Sequence, residues 1–261
     1  MRYFIYLLFF PALMLLSCDN QQETMQLVWS DEFDYEGLPD PDKWAYDVGY
    51  IANNEKQYYT ESRLENARVE DGNLIIEARK EPWNDFDYTS ARLVTRDRAT
   101  WTYGRFEIRA KVPSGLGTWP AIWMLGENIS EVGWPASGEI DIMEHVGFDP
   151  LVIHGNVHTE AYNHAIGTNK GGSIEPGPPW EEFKVYAIEW FEDRIDFYVN
   201  DEKYFSFDKE SDDAAKWPFD KPHYLLLNLA IGGDWGGSEG IDNELFPHEF
   251  HVDYVRVYKG I

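Results

Sequence analysis

Apolar and polar residues alternate with a period of two along most of the chain beyond residue 27. In YGRFEIRAKV (103–112), Phe106, Ile108, Ala110 and Val112 fall on one side, and Arg105, Glu107, Arg109 and Lys111 on the other. That is the pattern of a half-buried strand. GNLIIEA (72–78), SARLVT (90–95), VIHGNVHT (152–159), FKVYAIEW (183–190) and HYLLLNLAI (223–231) read as further strands. RIDFYV (194–199) and KYFSFD (203–208) flank Asn200-Asp201-Glu202, which predicts a hairpin turn. EFHVDYVRVY (249–258) reads as apolar on both faces and is expected at the centre of a sheet. No window carries a sustained 3.6-residue stripe. The expected fold is therefore all-β, an antiparallel β-sandwich of jelly-roll type with a concave cleft for a substrate.

One stretch combines burial with charge. SGEIDIMEHVG (137–147) holds Glu139, Asp141 and Glu144 among Ile140, Ile142, Met143 and Val146. Buried carboxylates with no basic neighbours in sequence are costly unless their perturbed acidity is used. On a regular strand Glu139 and Asp141 share a face and Glu144 points to the other. A β-bulge, most simply at Ile142-Met143, would absorb one residue and bring Glu144 onto the same face. Glu139 and Glu144 would then lie about four strand steps apart, roughly 13 Å between Cα atoms, with side chains able to converge across a concave sheet. Retaining glycosidases use two carboxyls about 5–5.5 Å apart, one as nucleophile and one as acid/base. Three adjacent acids cannot all ionise cheaply, so at least one pKa should rise. Such a rise lets one carboxyl donate a proton while its neighbour stays ionised.

Composition narrows the partners. The formal net charge of −25 repels phosphate backbones, so nucleic acid is excluded, and sulfated or carboxylated polymers meet the same objection. Aromatic residues make up 16% of the chain, 11 of them Trp, and flat rings with polar edges suit the C–H faces of neutral sugars. At the N-terminus, Arg2 precedes an apolar block, Tyr3 to Leu16, shorter than the roughly 20 residues of a membrane-spanning helix. Leu16-Ser17-Cys18 follows where a cleavage site should be. It resembles a bacterial lipobox, with Cys18, the chain's only cysteine, as the lipidated residue. The expected organisation is a signal peptide (1–17), a lipidated and polar tether (18–26) and one catalytic domain (27–261). A membrane-anchored envelope lipoprotein is expected, acting as a monomer.

The carboxylate stretch resembles the E-x-D-x-x-E signature of glycoside hydrolase family 16, whose fold is a β-jelly roll. LVWSDEFD, NNEKQYYT, SARLVT, YGRFEIRAKVP, GTWPAIWML, NLAIGGDWGG and VDYVRVY resemble, in that order, blocks of its bacterial laminarinase branch. The resemblance implies a retaining endo-hydrolase of β-1,3-glucosidic bonds in laminarin-type glucans. It implies Glu139 as nucleophile, Glu144 as acid/base and Asp141 tuning Glu139 by a hydrogen bond. It also implies sugar contacts for Asn54, Arg92, Trp119, Trp123, His158 and Trp235. Trp119 and Trp123 share a face if their run stays extended, although Pro120 lies between them. By the same resemblance Asp253, with the backbone carbonyls of Glu32 and Gly72, binds a structural calcium on the convex side, as hard oxygen ligands would. No catalytic cofactor is implied.

Other readings stand beside this one. Arg92 alone reads as a solvated or salt-bridged arginine, Asn54 as a turn residue and Asp253 as a paired carboxylate. His154 and His158 share a strand face but lie about 13 Å apart, too far to bind one zinc ion together. The branch usually has Asn then Trp-Pro where this chain has Asp234-Trp235-Gly236, which leaves that loop's shape open. A hydrolase of mixed-linkage β-glucan or of a galactan would carry the same acids, and a transglycosylase would differ only in excluding water. A non-catalytic glycan-binding surface lipoprotein would need the aromatics but not the three carboxylates.

Overall fold

The computed structural model describes Met1 and residues 25–260. The expected signal peptide, Cys18 and the tether up to residue 24 lie outside the described residues. In chain order the strands begin with β1 (Gln26–Asp31), β2 (Ala45–Tyr46), β3 (Gln57–Tyr59), β4 (Ala67–Glu70), β5 (Asn73–Trp83) and β6 (Phe86–Ser90). Next come β7 (Arg92–Val94), β8 (Gly104–Lys111), β9 (Thr118–Gly126), β10 (Glu139–Glu144), β11 (Ile153–His158) and β12 (Lys170–Ile174). The last five are β13 (Lys184–Trp190), β14 (Arg194–Val199), β15 (Glu202–Asp208), β16 (His223–Ile231) and β17 (His248–Lys259). Among the described residues, helical structure is confined to a short α1 (Ile129–Val132) and a 3₁₀ turn at His164–Ile166.

Two sheets face each other. Ten strands form one, with the path β15-β14-β13-β8-β17-β5-β6-β3, β1 beside β17 and β4 beside β5. Seven form the other, in the order β12-β11-β10-β9-β16-β7-β2. All pairings are antiparallel except β3 with β6. The alternation in β8 does what it predicts: Phe106, Ile108 and Ala110 are wholly buried, and Phe106 packs edge-on against Trp101. Facing them from the seven-stranded sheet are Ile122, Met124, Ile140, Leu225, Leu227 and Leu229, all in one continuous core. The opposite parity of β9, β10, β11 and β16 is thereby left to line the outer, cleft face of that sheet.

Three expectations are corrected. β17 is central, between β8 on one side and β5 and β1 on the other, but it is not apolar on both faces. Its burial alternates, with Phe250, Val252, Val255 and Val257 inside and Glu249, His251, Asp253 and Arg256 on the outer side. A register shift between Val252 and Tyr254 carries the alternation past Asp253, which made the run look apolar throughout. The long strand buried along its whole length is β16. SARLVT is two strands: the chain leaves the ten-stranded sheet at Ser90, passes through Ala91 and joins the seven-stranded sheet at Arg92. Finally, the β14–β15 turn is Asn200-Asp201 alone, at φ 49° and 65°, and Glu202 opens β15. Two successive left-handed residues suit a two-residue hairpin, and Asn and Asp tolerate that conformation best among non-glycines.

Candidate active site

β10 contains the predicted bulge. Against β9, Asp141 pairs with Trp123 and Met143 with Ile122, so Ile142 is the extra residue, and Glu144 then pairs with Ala121. Ile142 and Met143 both enter the core. Glu139, Asp141 and Glu144 consequently open on one face, into a cleft of about 710 Å³. On the β11 side the register sets Glu139 opposite His158, Asp141 opposite Asn156 and Glu144 opposite His154.

Each carboxylate has its own partners. Trp134, from the loop before β10, donates its indole Nε1–H to Glu139 Oε2 at 2.9 Å. Asp141 shares a hydrogen bond with Glu139, and His158 Nε2 lies 3.2 Å from Asp141 Oδ2 and 3.7 Å from Glu139 Oε1. Glu144 receives two N–H donors, Trp119 Nε1 and Asn156 Nδ2, each at 3.1 Å. Burial pushes all three acids above the usual carboxylate range. For Glu139 the charge of Asp141 adds to the effect, and for Asp141 that of Glu144 does. For Glu144 the rise is opposed by His158 and by its two N–H donors. A hydrogen-bonded Glu139–Asp141 pair holds a proton between its two oxygens.

The walls are aromatic. Trp119, Ala121, Trp123 and Leu125 line the cleft from β9, so the strand stays extended through Pro120 and the expected shared face is realised. Trp235 meets Trp119 edge-to-face, with centroids 5.6 Å apart. The glycines around it allow this approach: a Cβ on Gly236 would sit 2.7 Å from Trp119 Cβ. Arg92 is neither solvated nor free. It is buried, ion-paired to Asp47 at 3.1 Å, and its guanidinium stacks 4.6 Å above one face of Trp123.

Asn54 is not brought into the cleft. Asn53 and Asn54 are both left-handed, at φ 59° and 54°, and the double turn sends the Asn54 amide outward to Asp234, at 2.8 and 3.1 Å from its two oxygens. Asn53 and Glu55 line the cleft instead. The unusual Asp234 thus ties the Trp235 loop to the NNE turn. Sequence reasoning also passed over Trp134, Asn156, Glu55, His164 and Asn228. Asn228 carried a signal, as the one polar residue inside LLLNLAI; Trp134 sits in a loop, where parity says nothing.

Among the described residues, Glu139, Asp141 and His158 are the group whose metal-type donor atoms lie mutually close, within 4.8 Å. Away from the cleft, the registers Val252–Leu74 and Val255–Asp31 bring Glu32, Gly72 and Asp253 near one another midway along β17, where β1 ends and β5 begins. These oxygen donors suit calcium. One Asp253 oxygen is already engaged by Arg109 at 2.5 Å, and the Glu32 side chain pairs with Arg256, leaving carbonyls and one carboxylate oxygen for an ion.

Residues 54–256 match the profile described as Glycosyl hydrolases family 16. The chain belongs to that family. This family 16 chain is 58% identical over 245 residues to the beta-glucanase of Rhodothermus marinus, a match spanning 90% of this chain and 86% of that protein. Its fold matches the X-ray structure of the laminarinase from Rhodothermus marinus with a TM-score of 0.89 at 57% identity, covering 91% of this chain and 98% of that one. It matches SCLam, a non-specific endo-beta-1,3(4)-glucanase of family GH16, with a TM-score of 0.87 at 47% identity, covering 91% and 92%.

The raised pKa values carry a stability consequence. A carboxyl whose folded pKa is raised adds stability below its unfolded pKa, near 4.3 for Glu, and loses it as pH rises through the folded value. At pH 7 the cluster is therefore a burden on the fold. Glu139→Gln should raise the Tm at pH 7, and the gain should vanish near pH 4. Calorimetry across that range checks it; an equal shift at both pH values would contradict the buried-charge account.

Proposed function

We propose that the protein is a retaining endo-β-1,3-glucanase acting on laminarin-type glucans, with Glu139 as nucleophile and Glu144 as acid/base. The observation that carries this reading is the Ile142 bulge, which gathers two glutamates and an aspartate on one face of a cleft walled by tryptophans. A neutral glucan suits those rings and the chain's acidity. The β-glucanase and laminarinase relatives support the linkage.

The chemistry follows from the partners of each acid. Asp141 keeps the shared proton while Glu139, also held by the Trp134 N–H, presents a free oxygen to the anomeric carbon. Burial raises the pKa of Glu144 and so favours its protonated form, from which it can give a proton to the departing glycosidic oxygen as the C–O bond breaks. Once ionised, its carboxylate is stabilised by the Trp119 and Asn156 N–H groups. It then takes a proton from the water that displaces Glu139, and two inversions give net retention. His158, beside Asp141, lies where it can set the ionisation of the pair. Trp119, Trp123 and Trp235 offer rings to glucosyl units, and Arg92 offers N–H donors to sugar hydroxyls.

A second reading, cleavage of mixed-linkage β-1,3-1,4-glucan, draws support from the likeness to SCLam. We further propose a structural calcium at Asp253, Glu32 and Gly72, tying the end of β1 and the start of β5 to the middle of β17 away from the chemistry. Lipidation at Cys18, with anchoring in the cell envelope, rests on the sequence around that residue.

The anomeric proton signals, followed while the protein digests a soluble β-1,3-glucan, should show β-configured reducing ends first, on internal fragments. α-configured ends would remove the retaining mechanism, and release from mixed-linkage glucan alone would move the specificity. Glu139→Gln should abolish turnover while binding persists. Glu144→Ala should lose roughly 10²–10⁴-fold on the polymer and recover on substrates with good leaving groups, which need little protonation; no recovery would count against the acid role. Chelation by EDTA should lower the Tm of the native chain and leave that of Asp253→Ala unchanged; equal melting of both with and without chelator argues against a bound ion. The full chain made in a bacterial host should partition into detergent and lose that behaviour as Cys18→Ser; unchanged partitioning would refute the anchor.

A further inference from the structure

Trp123 is held at its edge by a chain of hydrogen bonds that all run one way. Its indole Nε1–H donates to Asn228 Oδ1 at 2.7 Å, Asn228 Nδ2 donates to the Tyr59 hydroxyl at 3.0 Å, and that hydroxyl donates to Glu55 Oε2 at 3.1 Å. Gln57 Nε2 donates to the same Glu55 oxygen at 2.6 Å, and its own Oε1 accepts the Ile231 backbone N–H at 2.7 Å. Tyr59 is wholly buried, with Asn228 and Glu55 only 5% and 8% exposed. Three of these residues come from the segment 55–59 and two from β16, so the chain of bonds spans the junction between the strand platform and the loops at one end of the cleft.

We propose that Glu55 is a positioning residue for the glucanase reaction: its carboxylate sets the direction of this relay and thereby fixes Trp123 and the Arg92 stacked on it. The proposal rests on the reading in which Trp123 carries a glucosyl ring. The reasoning is one of donors and acceptors. An indole N–H can only donate, so Asn228 must turn its oxygen toward Trp123 and its NH₂ toward Tyr59. The tyrosine hydroxyl can then accept from Asn228 only in an arrangement where its own proton goes elsewhere. Glu55 Oε2 already accepts the Gln57 N–H, so it meets the hydroxyl as an acceptor and fixes that proton's direction. Without an acceptor at position 55, the hydroxyl can turn its proton on Asn228, which favours the flipped amide and sets an NH₂ against the indole N–H. Gln57, locked by the Ile231 amide, holds the Glu55 oxygen in place for Tyr59. Glu55 also pairs through its backbone with Gly232, at the start of the Trp235 loop.

The test uses the full chain on a soluble β-1,3-glucan, with melting curves to establish that each variant folds. Glu55→Ala and Tyr59→Phe should each raise KM roughly five-fold, about the net worth of one hydrogen bond, with kcat little changed. Glu55→Gln, whose side-chain oxygen can still accept from Tyr59, should restore most of the loss. In a Trp123→Ala background Glu55→Ala should add nothing, because its effect passes through that ring. A further rise there would overturn the proposal, since Glu55 would then be meeting the sugar itself. The relay is read apart from sugar binding by the Trp123 indole N–H resonance, which should shift in Tyr59→Phe, a change of a single hydroxyl that the fold should tolerate. An unmoved resonance overturns the proposal. A shifted resonance supports the relay, and if Trp123→Ala also leaves KM unchanged, it is the sugar-binding reading of Trp123 that fails.

Discussion

Side chains alternate across a strand, so two carboxylates five positions apart can share a face only where their strand holds one residue more than its neighbours. Ile142 is that residue. By entering the core together with Met143 it lets Glu144 turn into the cleft, and the partners follow from the same register. Asn156 and His158, two apart on a regular β11, reach different acids because β10 beside them is out of step. Trp119 meets Glu144 for the same reason. Were the strand to run regularly with Ile142 kept in the ladder, Glu144 would turn to the core face and leave its two N–H donors facing nothing.

The electrostatics of the cleft floor follow from burial as much as from proximity. Three acids lie among tryptophans and aliphatic side chains with no lysine or arginine in contact, so desolvation is the largest influence on each. Chemical difference then comes from hydrogen bonds. Glu144 has two N–H donors, which favour its charged form against the pull of burial. Glu139 has one indole donor and an acidic neighbour. The fold keeps this arrangement on paired strands, where neighbouring ladders hold the backbone, while the loops supply Trp134 and Trp235 at the rim.

Much of the architecture was legible because one sheet face is core and the other is either solvent or cleft, which leaves period-two alternation in β8, β11 and β13. The bulge in β10 was legible as a conflict between that period and the spacing of the acids. The bulge in β17 was not, since valines and tyrosines on either side of Asp253 hide the change of face. The passage between sheets at Ala91 was hidden too: an unbroken apolar run carries no mark of which sheet each half joins. At the site, residues on strands came out where parity set them, and Trp119, Trp123 and His158 line the cleft. Asn54 did not, because two successive left-handed residues rotate a turn in a way no pattern of polarity records. Glu55 escaped notice because it sits in the polar run NNEKQ, where nothing marks which residue is buried for its hydrogen bonds, whereas Asn228 stood out as the one polar residue in an apolar strand.

The place of β17 has a bearing on when this molecule can become itself. That strand lies between β8 on one edge and β5 and β1 on the other, with Gln26 paired to Lys259. A growing chain that has reached residue 240 possesses nearly every other strand and still has a gap through the middle of its larger sheet. The valines and phenylalanine that fill the gap, Phe250 to Val257, are the ones that seal the sandwich. Until they arrive the nascent chain has no finished core to lock, so the sandwich closes only when its last strand is in place.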